Sequence, residues 1–227
     1  MQEISKTTLW IKICLDAEYD SQPMAPQKLY FGPTKYSKAC KIITRCAVKS
    51  VLDVIGNLPE ELEWFKSHPQ FKHLFHMFKE PNHMNQGLWM LRLHTAYTEK
   101  QNEAWFVVNG VPIRYSLREH ALLCVLDCHD YPADYKKLEK LKFVQKHFGR
   151  DDKIKIAEVE AKQEEMKETS LDRKKMALFL FLCKVLKAKS KADGNIDPFL
   201  LRAVGDLKLC RTFSWGHYMF DNAMKEI

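Results

Sequence analysis

Three kinds of side chain in this sequence could do chemistry: thiols, imidazoles and a run of lysines. Cys124, Cys128 and His129 fall close together. A cysteine nucleophile would need a base and an orienting carboxylate brought to its thiolate. A structural zinc would need four ligands, usually as tight Cys-x2-4-Cys and His-x3-5-His pairs. Cys124 and Cys128 meet the first spacing, and His73 and His76 share a helix face, but no second cysteine pair matches the first. Cys, His and Asp occur in almost any chain of this length. The residues therefore favour buried thiols and surface histidines. The expectation is no catalytic residue, no metal and no cofactor.

The lysines offer a different chemistry. Lys136, Lys137, Lys140, Lys142, Lys146 and Arg150 are followed by Lys153 and Lys155, and a second basic stretch covers 184–191. Such a run can neutralise phosphates without reading sequence. Stacking on single strands would want interleaved aromatics, and only Phe143 and Phe148 are at hand. A solvated helix face is the plainer reading. Nucleic acid remains the alternative partner to a protein.

These side chains need elements to position them. The chain has 227 residues, 46% of them hydrophobic and 11% aromatic, enough to bury a sizeable core and to exclude wholesale disorder. Its net charge of +7 is mild for this length. Seven cysteines, an odd number set mostly in apolar helical patterns, fit a reducing compartment, nucleus or cytoplasm. No run approaches the ~18 apolar residues that span a bilayer, and Met1 to Leu15 does not read as a signal peptide.

The clearest local signals lie between Trp105 and Cys128. Two β-prone runs flank Asn109-Gly110, a pair that suits a type I′ turn because both residues tolerate positive φ. Ser116 and Glu119 stand at capping-box spacing, and an apolar helix is predicted from there to about Leu126. Elsewhere helices are predicted over 37–55, after Pro59, over 71–78, over 87–97, over 171–187 and from Asp197-Pro198 to Val204, with a short one ending the chain. Residues 158–168 read as a polar helix or a mobile excursion. Trp64, Trp89, Trp105 and Trp215 are core by default. The fold class is mainly α, a multi-helix domain with one small antiparallel β-hairpin near 104–115. A weakly ordered arm covers 1–27 and a single domain 28–227.

The order of these signals resembles a plant family known as domain of unknown function nineteen eighty-five. Phe31-Gly32, Cys40, Pro59-Glu60-Glu61-Leu62, Phe71 and Leu74 begin the resemblance, and the block from Glu103 to Leu122 is its specific part. Asp127-Cys128, Tyr131-Pro132, Asp172-Arg173 and Phe213-Ser214-Trp215-Gly216 complete it. The family's motif residues map to Trp105, Gly110, Pro112, Arg114, Ser116, Arg118, Glu119, Trp215 and Gly216. Arg114, Arg118 and Arg173 read as ties between hairpin and helix. Ser214 and His217 stand where the family usually has Pro and Arg. The resemblance implies transposon-associated genes in which the domain often precedes a SUMO-specific, Ulp-type cysteine protease. It supplies no mechanism. The expected function is a non-enzymatic interaction module that binds protein or nucleic acid.

Overall fold

Met176 to Phe181 is six apolar residues in a row, which cover every face of a helix, so this stretch can only be satisfied by burial on all sides. A computed structural model of the chain describes residues 48–76, 94–96, 102–108, 111–137, 141–150, 152–187 and 195–225. Its elements are α1 (Val48–Gly56), α2 (Pro59–Lys66), α3 (Lys72–His76), β1 (His94–Ala96), β2 (Glu103–Val108), β3 (Val111–Ser116) and α4 (Leu117–Cys124). After a 3-10 turn at Tyr135–Lys137 come α5 (Lys142–Phe148), α6 (Ile156–Glu165) and α7 (Leu171–Phe181). A π-helical segment, Leu182–Leu186, extends α7, and α8 (Pro198–Ala203), α9 (Leu207–Thr212) and α10 (Trp215–Met224) close the fold. The predicted arm at 1–27, the first part of the 37–55 helix, Trp89, Asn109-Gly110, Lys140 and the basic residues after Lys187 lie outside the described residues.

The fold is mainly α, with the antiparallel hairpin where it was expected. Helix α7 forms the centre. Met176, Ala177, Leu178 and Phe179 are fully enclosed, and α1, α6 and the π-helical segment pack on α7. An aromatic cluster extends this core. Phe65 lies 5.2 Å from Phe181, Phe71 4.8 Å from Phe181, and Phe213 4.8 Å from both Phe199 and Trp215. Offset and edge-on pairs of this kind add to the area each ring buries. Cys183 and Cys210 are buried thiols, as small hydrophobes would be.

Local signals set many of the boundaries. Pro59 opens α2 and Pro198 opens α8, where a missing N–H costs nothing. Asp197, Asp206 and Ser170 accept backbone N–H groups at the starts of α8, α9 and α7. Gly149 ends α5 with φ 68°, a conformation that glycine adopts without strain. The predicted 158–168 segment is α6, and its Val159 is buried against the core.

Two departures follow from tertiary context. Residues 94–96 end no helix. They form β1, antiparallel to β2, with His94 opposite Val107 and Ala96 opposite Trp105. The hairpin had an open edge, and pairing that edge outweighs a weak helical pattern. The second departure concerns α4, which stops at Cys124 rather than near Leu126. Val125 turns out of it with φ 54°, an uncommon conformation for a β-branched residue. That turn lets Leu126 bury while Leu122 and Val125 remain more than half exposed.

Candidate functional site

The chemistry-bearing residues converge on the unit made by β3, α4 and the loop after it. In the hairpin, Glu103 pairs with Ser116 and Val108 with Val111, so two residues join the strands. Trp105 is buried and its indole N–H donates to Glu103 Oε1 at 3.0 Å. Pro112 is exposed, opposite Val107.

Ser116 and Glu119 form the predicted capping box. The Ser116 N–H donates to Glu119 Oε2 at 2.8 Å, and the Arg118 N–H donates to Ser116 Oγ at 3.3 Å. The Arg114 guanidinium donates to Glu119 Oε1 at 3.0 Å, fastening strand to helix. Burial opposes the charge on Glu119, but these hydrogen bonds prevail and hold its carboxyl below the usual range. Arg118 is exposed. Arg173 makes its tie far away: its guanidinium grips the buried Glu61 carboxylate through two bonds of 2.9 Å, joining α7 to α2.

His120 and Cys124 follow at i, i+4 on one helix face, and the turn at Val125 brings Cys128 back beside them. A ring nitrogen of His120 and the sulfurs of Cys124 and Cys128 all lie within 4.8 Å of one another. The sulfurs are 4.0 Å apart, and both cysteines are half-buried free thiols. The Tyr115 hydroxyl lies 2.6 Å from His120 Nδ1, and the ring of Phe220 on α10 packs 5.6 Å from the imidazole. His120 Nε2 is buried and has no partner of ordinary hydrogen-bond geometry among the described residues. Burial keeps the imidazole pKa below its usual value, against a smaller opposing pull from the Gly216 backbone. Burial, with help from Cys124 and Asp127, pushes the Cys128 thiol up to about 12. Tyr115 is pushed up to about 12 by burial and by the two sulfurs.

The C-terminal motif closes the other side. Asp127 O accepts the Gly216 N–H at 2.8 Å. The Ser214 hydroxyl lies 2.5 Å from His129 O and 3.1 Å from Asp127 O, and its single proton can serve one of them. Trp215 is fully enclosed and donates to Cys210 O at 2.8 Å. Gly216 is required by space. A Cβ there would stand 2.3 Å from Cys128 Sγ and 2.9 Å from Asp127 O. From α3's side, Gln70 accepts the Asp127 N–H at 3.2 Å and donates to Phe213 O at 2.8 Å.

The sequence sets His129 beside the two cysteines, whereas the structure brings His120 to them. His129 is exposed, and its Nδ1 lies 2.5 Å from Asp127 Oδ1. The missed signal was the spacing His120-x3-Cys124-x3-Cys128, which a search for Cys-x-x-Cys and His-x3-His patterns passes over.

The lysine run is dispersed and partly paired. Lys136 lies over the Tyr135 ring at 5.7 Å, Lys137 is in the same 3-10 turn, and Lys142 is exposed at the start of α5. Lys146 pairs with Asp172 at 2.5 Å and Arg150 with Glu158 at 2.5 Å. Lys184 and Lys187 pair with Glu160 and Asp197.

The fold and this unit therefore define a helical domain built around a hairpin, a capped helix and a clamped loop. The sequence profile of the family described as Domain of unknown function (DUF1985) matches residues 93–226, and the chain belongs to that family. An uncharacterized protein of Arabidopsis thaliana is 29% identical over 208 residues, which is 91% of this chain and 26% of that protein. The chain thus spans about a quarter of the length of that relative. No solved structure matches. No helix among the described residues is long and apolar enough to cross a membrane.

Proposed function

We propose that the chain is a non-enzymatic interaction module that binds a protein partner through its hairpin–α4 unit. One observation carries this reading. Of the six large apolar residues exposed among the described ones, five fall in this unit: Val111, Ile113, Leu122, Leu123 and Val125. Single exposed apolar side chains are ordinary, but such a concentration on one short unit suits a protein partner. The raised pKa of Cys128 supports the non-enzymatic part, since a protonated thiol is a poor nucleophile at neutral pH. The ion pairs of Lys146, Arg150, Lys184 and Lys187 weigh against the alternative, direct binding of DNA or RNA, because phosphates would have to displace local carboxylates. Association with transposon genes belongs to the same proposal and rests on family membership.

The test uses the purified chain and the paired variant Leu122→Lys, Val125→Lys, which should fold normally. Proteins captured from plant extract by the parent chain should be lost with the variant. An unchanged set of captured proteins would remove this surface from the reading. A shift of a mixed nucleic-acid pool at ~50 mM salt that weakens steeply at higher salt would install the alternative.

A further inference from the structure

We propose that His120, Cys124 and Cys128 form a binding site for a single zinc-type metal ion, with its fourth position open to solvent. The proposal uses different atoms from the proposed protein-binding surface, so either can fail alone. Four independent features of the structure meet at this point.

The first is convergence. Two thiols and one imidazole lie within 4.8 Å of one another, although Cys128 is separated from His120 by a helix end and a turn. Two thiolates bound to one tetrahedral zinc stand about 3.8 Å apart, given Zn–S bonds of about 2.3 Å. The observed separation of 4.0 Å is close to that and far from the roughly 2.05 Å of a disulfide. The imidazole needs to draw in by about 1 Å at most.

The second is the state of the histidine. His120 is 7% exposed, and its Nε2 has no partner of ordinary hydrogen-bond geometry among the described residues, the Gly216 backbone exerting only a weak pull on the ring. Five buried side-chain polar atoms among the described residues lack a partner, and the one on His120 belongs to the ring that has two thiols beside it, where a metal would supply what is missing. Tyr115 occupies the other nitrogen at 2.6 Å, which fixes the ring and leaves Nε2 for the metal. Ligating histidines are typically held in this way by a partner on the second nitrogen.

The third is support around the sulfurs. The Leu126 N–H points to Cys124 Sγ at 3.4 Å, where it would stabilise a thiolate. Gly216 leaves Cys128 Sγ the space that any larger residue would occupy. The fourth is access. Both cysteines are half-buried, so an ion can enter from solvent and the two thiol protons can leave to it.

The donor chemistry selects the ion. Two soft sulfurs and one nitrogen suit zinc and reject calcium and magnesium, which prefer oxygen. Three protein ligands leave one tetrahedral position for water or a group from a partner.

The test is metal binding by the full chain, purified under reducing conditions and stripped of metal. Equilibrium dialysis against zinc should give about one ion per chain. Cobalt(II) in its place should show the intense visible absorption of a tetrahedral site together with thiolate-to-cobalt charge transfer. Cys124→Ser and Cys128→Ser should each abolish the charge-transfer change at the lost sulfur and weaken zinc binding, with circular dichroism unchanged. Tyr115→Phe should keep all ligands yet weaken zinc on the order of tenfold to a hundredfold. Far less than one zinc per reduced, folded chain would overturn the proposal. So would zinc retained by the Cys124→Ser, Cys128→Ser double variant, or cobalt bound without thiolate charge transfer.

Discussion

The α7 core and the hairpin–α4 unit solve the same problem in opposite ways. Along α7 from Met176 to Phe181 every apolar side chain is covered, and the buried charges Arg173 and Glu61 meet through a two-pronged bond, Arg173 also donating to Lys167 O and Thr169 Oγ1. Around α4, Leu122 and Leu123 face water, while His120 is buried beside the half-buried Cys124 and Cys128. The first arrangement gives stability. The second leaves exposed apolar side chains and sets an imidazole beside two thiols, features suited to binding. Gly216 and Asp127 join the two regions, because the α10 helix that caps the core also clamps the loop carrying Cys128.

The largest expected effect breaks the core side of that contrast. Glu61→Gln leaves Arg173 charged and buried without its partner, and should cost about 3–5 kcal/mol in chemical denaturation. The double change Glu61→Leu, Arg173→Met should recover most of that loss, since an apolar pair of similar volume suits the site. Recovery by the double change would show that the charges serve specificity more than stability.

Acid should act next. His68 is fully enclosed, its ring stacks on Phe71 with centroids 4.1 Å apart, and its Nδ1 accepts from the Gln70 and Phe71 N–H groups. Burial, helped by the Arg211 charge, lowers its pKa from 6.5 to about 4. The unfolded chain takes up this proton as pH falls through 6.5, whereas the folded chain waits until about 4. Stability is therefore full above pH 6.5, falls between the two values and levels off below 4, by roughly 3 kcal/mol. Thermal melts across this range check it, and His68→Leu should flatten the fall.

Gly216→Ala tests the junction between the regions. The new methyl must displace Cys128 Sγ and two backbone carbonyls, and should cost about 1–3 kcal/mol. It should also lower zinc binding, which the Glu61 variants should leave intact. The smallest effect belongs to the cap. Ser116→Ala removes one oxygen from the start of α4 and should cost about 1 kcal/mol. If its loss also weakened zinc binding strongly, α4 would prove less independent of its cap than the contrast implies.

Local devices were legible because they act over a few residues. The hairpin strands, the Ser116–Glu119 box, Pro59 and Asp197-Pro198 all appear where their spacing placed them. The role of Arg114 as a tie was also readable, since its partner Glu119 is five residues away. What failed depended on distant partners. The 94–96 strand exists because β2 offered an edge, and α4 stops early because Gln70 and Gly216 hold the loop after it. The grouping of His120 with Cys124 and Cys128 was not legible for the same reason. Sequence proximity favoured His129, whereas helical geometry and the Val125 turn selected His120.

The sequence by itself determined a mainly α chain, its family, its caps and its hairpin, because propensity and hydrogen bonding at short spacing act wherever the segment lies. Only the tertiary structure decided which side of α4 faces water, that Arg173 answers to Glu61 across 112 residues, and that two thiols and a buried imidazole share one point. Those outcomes depend on which surfaces compete for burial, and that competition is settled by the whole fold rather than by any one segment.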